Sequence, residues 1–195
     1  MTAPPSAWIT RWAHLVPAGG KVLDVAAGSG RHSAFFAGRG HAVTALDRDA
    51  SALAAVSMFA RTLVADLEQA PWPLPGERFD AVIVTNYLCR PLLPALIASL
   101  APGGMLLYET FAVGNETVGR PSRPDFLLAR GELLRLAGAL RIVAFEDGFL
   151  TMPERFVQRV VAVREPPATL PRRFGLEPPA SPVRSVESRG SGGHE

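Results

Sequence analysis

The chain of 195 residues has one cysteine, Cys89, and one lysine, Lys21. A single cysteine excludes an intramolecular disulfide and any metal site built from several thiolates of one chain. A single lysine excludes a reductase of the Tyr-x-x-x-Lys type, because Lys21 precedes both tyrosines. Nor is Gly20-Lys21 a phosphate loop, since no Ser or Thr follows the lysine. Long apolar runs are missing too: no stretch approaches about 18 apolar residues, so no membrane-spanning helix is expected. Met1 to Trp12 carries no apolar run of signal-peptide type, and a cytoplasmic location is the expectation. Charge of one sign is scarce, with 20 basic against 18 acidic side chains and a net charge of +2. Without clustering on one face that balance is no nucleic-acid footprint. His14, His32 and His41 are isolated, without carboxylates at ligand spacing, so no metal site is expected.

Apolar residues are plentiful, at 48% of the chain, enough for one domain with its own core. Trp8, Ile9, Trp12 and Leu15 recur at helical spacing, which predicts a helix over 5–16. Strands are predicted at 21–26, 42–46, 62–65, 79–85 and 105–111, with helices at 31–39, 50–60 and 90–100 between them. After a helix at 131–139, strands at 141–146 and 156–164 are joined by a turn around Asp147-Gly148 and Pro153. Such alternation implies an α/β fold: a Rossmann-like, doubly wound, mostly parallel seven-stranded sheet with a C-terminal antiparallel strand pair. The expected domain is 1–165, with 1–19 as an N-terminal helix and lid. Pro, Gly and Ser punctuate 166–195, which is read as a disordered tail.

The chemistry gathers at Val22-Leu-Asp-Val-Ala-Ala-Gly-Ser-Gly-Arg31. Glycines directly after a strand let backbone approach a ligand where a side chain would collide. The helix behind them offers free N–H groups to an anionic ligand group. Asp47 ends the next strand, and a carboxylate there can accept hydrogen bonds from ribose hydroxyls. Asp49 fits better as a helix N-cap. These features suit a nucleoside ligand of nicotinamide or S-adenosylmethionine type. Two details favour the second. Ser33 stands where a dinucleotide site asks for a third glycine. Asp24, inside the first strand, would repel a pyrophosphate yet suits a ligand with an ammonium group.

The segments VLDVAAGSGRHSAFFAGRGHAVTALDRD, ADLE at 65–68, FDAVIVTNYL at 79–88 and APGGMLLYETF at 101–111 together resemble class I S-adenosylmethionine-dependent methyltransferases. The likeness runs over roughly 20–165 and leans towards small bacterial enzymes of the tellurite-resistance or general methyltransferase-domain type. It implies S-adenosyl-L-methionine as cofactor and assigns roles. Asp24, Ala26, Gly28 and Gly30 would line its methionine part, with Ala26 standing where a glycine is common. Asp47 would bind the ribose, and Asp66 and Leu67 the adenine. Asn86 and Tyr87 would flank the transferred methyl, and are the candidates for any catalytic role.

Tyr87, Glu109, Asn115 and Arg120 are the candidates for touching the acceptor. Asn115 and Arg120 lie in a polar insertion at 112–130, which leaves the sheet beside the crevice and can serve as a lid. Thr85-Asn-Tyr-Leu-Cys89 lacks the Asn/Asp-Pro-Pro-Tyr of amino-group nucleic-acid enzymes and the Pro-Cys of cytosine-carbon enzymes. Nucleic acid is therefore disfavoured, and the expected acceptor is a small molecule. Arginines at 120, 123 and 130 keep a protein or RNA acceptor open, and a non-catalytic S-adenosylmethionine-binding module is a third reading.

Overall fold

A computed structural model describes residues 3–166 and 172–178. Helix α1 (Ala7–Trp12) starts at Ser6, whose Oγ accepts the Trp8 N–H at 3.1 Å. Ser is a favoured N-cap because this bond satisfies a donor that the first turn leaves free. Trp8, Ile9 and Trp12 all turn inward and are buried. The parallel core follows as β1 (Lys21–Val25), α2 (Arg31–Ala37), β2 (Ala42–Asp47), α3 (Ala50–Ala54) and β3 (Arg61–Val64). The second half runs β4 (Phe79–Thr85), α4 (Leu93–Ala98), β5 (Leu100–Phe111), α5 (Glu132–Leu136), β6 (Arg141–Thr151) and β7 (Glu154–Val163).

The seven strands lie in the order β3-β2-β1-β4-β5-β7-β6. β1 pairs in parallel with both β2 and β4, while β7 runs antiparallel to β5 and β6. The order in which strands are added across the sheet therefore reverses between β1 and β4, and ligand crevices in open parallel sheets lie at the carboxyl ends of the strands beside such a switch. Alternation along the strands sends Val22, Ala81, Ile83, Leu107 and Val161 towards α1 and α2. Leu23, Val82, Val84, Leu106 and Val160 face the opposite way, into a core with α4 and α5. Both faces are covered, which is why β1 and β4 read as nearly continuous apolar runs.

Several boundaries differ from the sequence expectation. The helix expected over 50–60 stops at Ala54 and continues as a 3-10 turn at Val56–Met58. Only Leu53 and Val56 give that segment buried apolar anchors. The turn expected at Asp147-Gly148 is instead strand: Asp147 pairs with Gln158 and Gly148 with Val157, so the hairpin reverses between Thr151 and Glu154. Trp8 and Trp12, placed in the expected N-terminal lid, are core residues stacked edge to face at 5.6 Å. Within the stretch read as a tail, Arg172 bonds the Gly103 carbonyl at 3.3 Å, and Phe174 packs partly buried against the α1 side. Those two contacts were not expected. Residues 167–171 and 179–195 lie outside the described residues.

Candidate cofactor and acceptor site

The glycine loop after β1 is pinned from β2. Asp47 Oδ2 accepts the Gly28 N–H at 2.7 Å and Oδ1 accepts the Asp49 N–H at 2.9 Å. The Ala27 N–H reaches the Leu46 carbonyl at 3.0 Å, so the loop is stitched to the end of β2 by two bonds. Gly28 has φ +54°, and a Cβ built there would meet nothing within 4 Å. Its open side is a place for a ligand to come close to backbone. Gly30, at φ +74°, is required for another reason: a Cβ there would overlap a Val56 methyl. Ala26 also sits in the left-handed region, at φ +53°, a conformation that costs an L-residue roughly 1–2 kcal/mol.

A cleft of about 160 Å³ opens between the ends of β1, β2 and β3. Ala26, Asp47, Asp66, Leu67 and Tyr87, all named from the sequence, line it together. Arg48, Ala65 and Glu68 line it too; they were missed, although each is the chain neighbour of a residue that was named. Asp66 Oδ1 accepts the Glu68 N–H at 3.0 Å, and the Ala65 N–H bonds the Asp47 carbonyl at 2.9 Å. Three carboxylates, Asp47, Asp66 and Glu68, thus stand at one cleft. Asp47 and Asp66 retain lone pairs beyond their bonds to the chain. That set of acceptors fits a nucleoside whose two ribose hydroxyls and exocyclic amino group donate.

Asp24 is placed deeper than expected. It is buried under the loop, where Ser33 Oγ donates to Oδ2 at 2.7 Å. Burial pushes its carboxyl up to about 6, against the lowering effect of the Ser33 hydroxyl. His32, beside it on α2, is also buried, and burial holds its imidazole down at about 3. Its Nε2 accepts the Ser6 N–H at 3.1 Å, which leaves the proton on Nδ1, 3.4 Å from Thr85 Oγ1. This histidine ties the N-terminal segment to the sheet and is a poor proton acceptor.

Asn86 and Tyr87 follow β4 directly, and only Tyr87 lines the cleft. Tyr87 faces the cleft beside Glu68, and burial pushes its phenol up. Asn86 is exposed, takes φ +55°, and donates its N–H to the Glu109 carbonyl at 2.9 Å. Asn tolerates this conformation better than most residues. Its Oδ1 lies 3.4 Å from Arg155 Nη1. Glu109 is fully buried and accepts from Ser6 Oγ at 3.1 Å, Arg155 at 3.2 Å and Arg159 at 3.3 Å. Asn115, expected near the acceptor, is buried away from solvent: its amide bonds the Pro121 carbonyl at 3.0 Å and its Oδ1 takes the Phe156 N–H at 3.2 Å. It braces the insertion against β7. Arg120 is exposed on that insertion. Cys89 is half-buried against the core, where it packs as a small apolar side chain. Among the described residues no cluster of His, Cys, Asp and Glu could hold a metal ion, and no helix is long and apolar enough to cross a membrane.

Residues 22–104 match the family model of a methyltransferase domain. No curated protein matches the chain by sequence. Among solved structures, the chain is similar to an S-adenosylmethionine-dependent methyltransferase from Methanosarcina mazei, at 15% identity and a TM-score of 0.66, covering 84% of this chain and 99% of that one. It is similar to TehB from Haemophilus influenzae, at 19% identity and a TM-score of 0.66, covering 85% of this chain and 64% of that one. A TehB-like S-adenosylmethionine-dependent methyltransferase from Corynebacterium glutamicum gives 21% identity and a TM-score of 0.58, covering 77% of this chain and 83% of that one. The family match takes in the whole cleft from Ala26 to Tyr87. It leaves out α1 and the β6–β7 hairpin.

Proposed function

We propose that this S-adenosylmethionine-dependent methyltransferase methylates a small-molecule acceptor. The observation that carries the reading is the Asp47–Gly28 bond at the mouth of a cleft that ends at Asp66. It supports assigning the ribose to Asp47 and the adenine to Asp66 and the Leu67 backbone. Gly28 leaves room for the bound molecule, and Ala26 narrows the passage between the two ends. Asp24 supplies a buried negative charge under the loop, suited to a ligand ammonium.

When bound, S-adenosylmethionine supplies a methyl already activated on a sulfonium. The chain's own task is then to hold the acceptor in line and exclude water, which can lower a barrier by several kcal/mol without any covalent step. Asn86, rigid in its left-handed turn and bonded to Glu109, is the residue proposed to face the methyl. Tyr87 is assigned to the cofactor wall. The N-terminal segment, held by Ser6 to both His32 and Glu109, covers the acceptor side. A small acceptor fits this covered approach better than a polymer does. The exposed arginine of the insertion that has an acidic partner, Arg123, is neutralised by Asp125 at 2.9 Å.

Radiolabelled methyl donor incubated with the protein and a pooled metabolite extract tests the reading. Label is expected in a small-molecule product and absent without protein. Label recovered only in added protein or RNA would assign a polymer acceptor instead.

A further inference from the structure

We propose that the acceptor carries a carboxylate and that Arg155 receives it. The inference rests on the methyltransferase reading above and specifies its acceptor side. Arg155 lies on β7 next to the turn of the β6–β7 hairpin, and β7 begins at the crevice end of the sheet, because it runs antiparallel to β5. Its guanidinium reaches Asn86 on one side and Glu109 on the other. It therefore stands beside the turn that faces the methyl, across from the cofactor cleft.

The charges around it do not balance. Arg11 and Arg159 bond Glu146, and Arg159 and Arg155 share Glu109. Three guanidiniums thus meet two carboxylates, leaving one positive charge in excess. Arg159 is the saturated member: it has both acids and lies 4.8 Å over the Trp8 ring. Arg155 is the unsaturated one. Its side chain is 17% exposed and, among the described residues, its only acid is the shared Glu109 and its buried Nε–H has no partner. Of the five N–H groups a guanidinium offers, two are used. A buried donor left unmatched is unfavourable, and a planar carboxylate taking two parallel N–H bonds is the group that best completes an arginine. A neutral acceptor would leave the charge unmet, and a cationic one would add to it. The family match ends before β7, so this feature belongs to the part of the chain where acceptor choice can vary.

Acetate serves as probe, with acetamide as its uncharged counterpart, on protein saturated with S-adenosylhomocysteine. The Arg155 Nε–H resonance in a ¹H,¹⁵N spectrum reports the contact. Acetate is expected to move that resonance and acetamide to leave it in place. R155Q is expected to bind S-adenosylhomocysteine like the wild type while weakening acetate roughly tenfold to a hundredfold, and R155K is expected to fall between them. R155K keeps a cation for Glu109 and answers the question should R155Q not fold. Equal response to acetate and acetamide, no response at saturating acetate, or acetate binding that survives in both variants would each overturn the proposal. Failure of the wild type to bind S-adenosylhomocysteine would instead strike the reading on which it rests.

Discussion

Ser33 Oγ donates to Asp24 Oδ2 at 2.7 Å, in a position buried from solvent. One hydroxyl does not offset the loss of water around a carboxylate, so the carboxyl is pushed from 3.8 up to about 6. A raised value means that the stability Asp24 contributes is complete below about pH 3.8 and is lost as pH rises through about 6. Asp24→Asn keeps an acceptor for Ser33 and removes the charge. The stability of the variant relative to the wild type is expected to improve between pH 4 and pH 7 by on the order of 2 kcal/mol. Urea unfolding across that range checks it. A difference independent of pH would show that Asp24 is better solvated than its burial implies.

His32 carries the opposite sign. Its imidazole is lowered from 6.5 to about 3, so its contribution is present above pH 6.5 and lost as pH falls towards 3. His32→Gln keeps an acceptor for the Ser6 N–H but cannot be protonated. The variant is expected to be less stable than wild type at neutral pH and to close that gap below about pH 6. Because this drift opposes that of Asp24, the two variants should diverge in a pH series. Parallel curves would contradict both assignments.

Asp47→Ala removes the acceptor of the Gly28 N–H and the proposed ribose ligand together. Hydrogen bonds to a charged group contribute about 1.5–3 kcal/mol, so affinity for S-adenosylhomocysteine should fall roughly tenfold to a hundredfold. Asp49 is the control. Its carboxylate caps α3 through the Ser51 and Ala52 N–H groups and does not line the cleft. Asp49→Ala should lower the melting temperature and leave the affinity unchanged. Calorimetry with both variants decides it; loss of binding in Asp49→Ala alone would place the ribose at the wrong acid.

Ala26 is an L-residue at φ +53°, in a position that glycine occupies without strain. Ala26→Gly exchanges that strain for extra freedom in the unfolded chain. The net change in unfolding free energy is expected to lie between zero and about 1 kcal/mol in favour of glycine. Cofactor affinity should hold or rise, because the methyl that narrows the passage is gone. A variant destabilised by more than about 1 kcal/mol would mean that the Ala26 methyl makes packing contacts that outweigh its strain.

The cofactor half of the molecule was legible because its signals are local. Strand, glycine loop and Asp47 lie within one β-α-β unit, and period and turn chemistry suffice to order them. The acceptor half was not. Arg155 meets Glu109 across 46 residues and Asn86 across 69, and nothing beside Arg155 in the sequence marks it. Asn115 misled for the same reason: a polar residue in a polar insertion reads as exposed, yet its amide is consumed by Pro121 and Phe156. Asp147-Gly148 carries a turn signature that the ladder with β7 overrides, and Asp147 instead holds the Gly131 N–H at 3.0 Å. Asp24 was placed correctly in β1, but its depth depends on how α2 packs, which periodicity does not give.

The central claim is that the cleft between Asp47 and Asp66 takes S-adenosylmethionine. Titration calorimetry of the full chain with S-adenosylhomocysteine, and separately with NAD, tests it most directly. One-to-one binding of S-adenosylhomocysteine in the micromolar range is expected, with no heat from NAD. Micromolar binding of NAD with none of S-adenosylhomocysteine would contradict it.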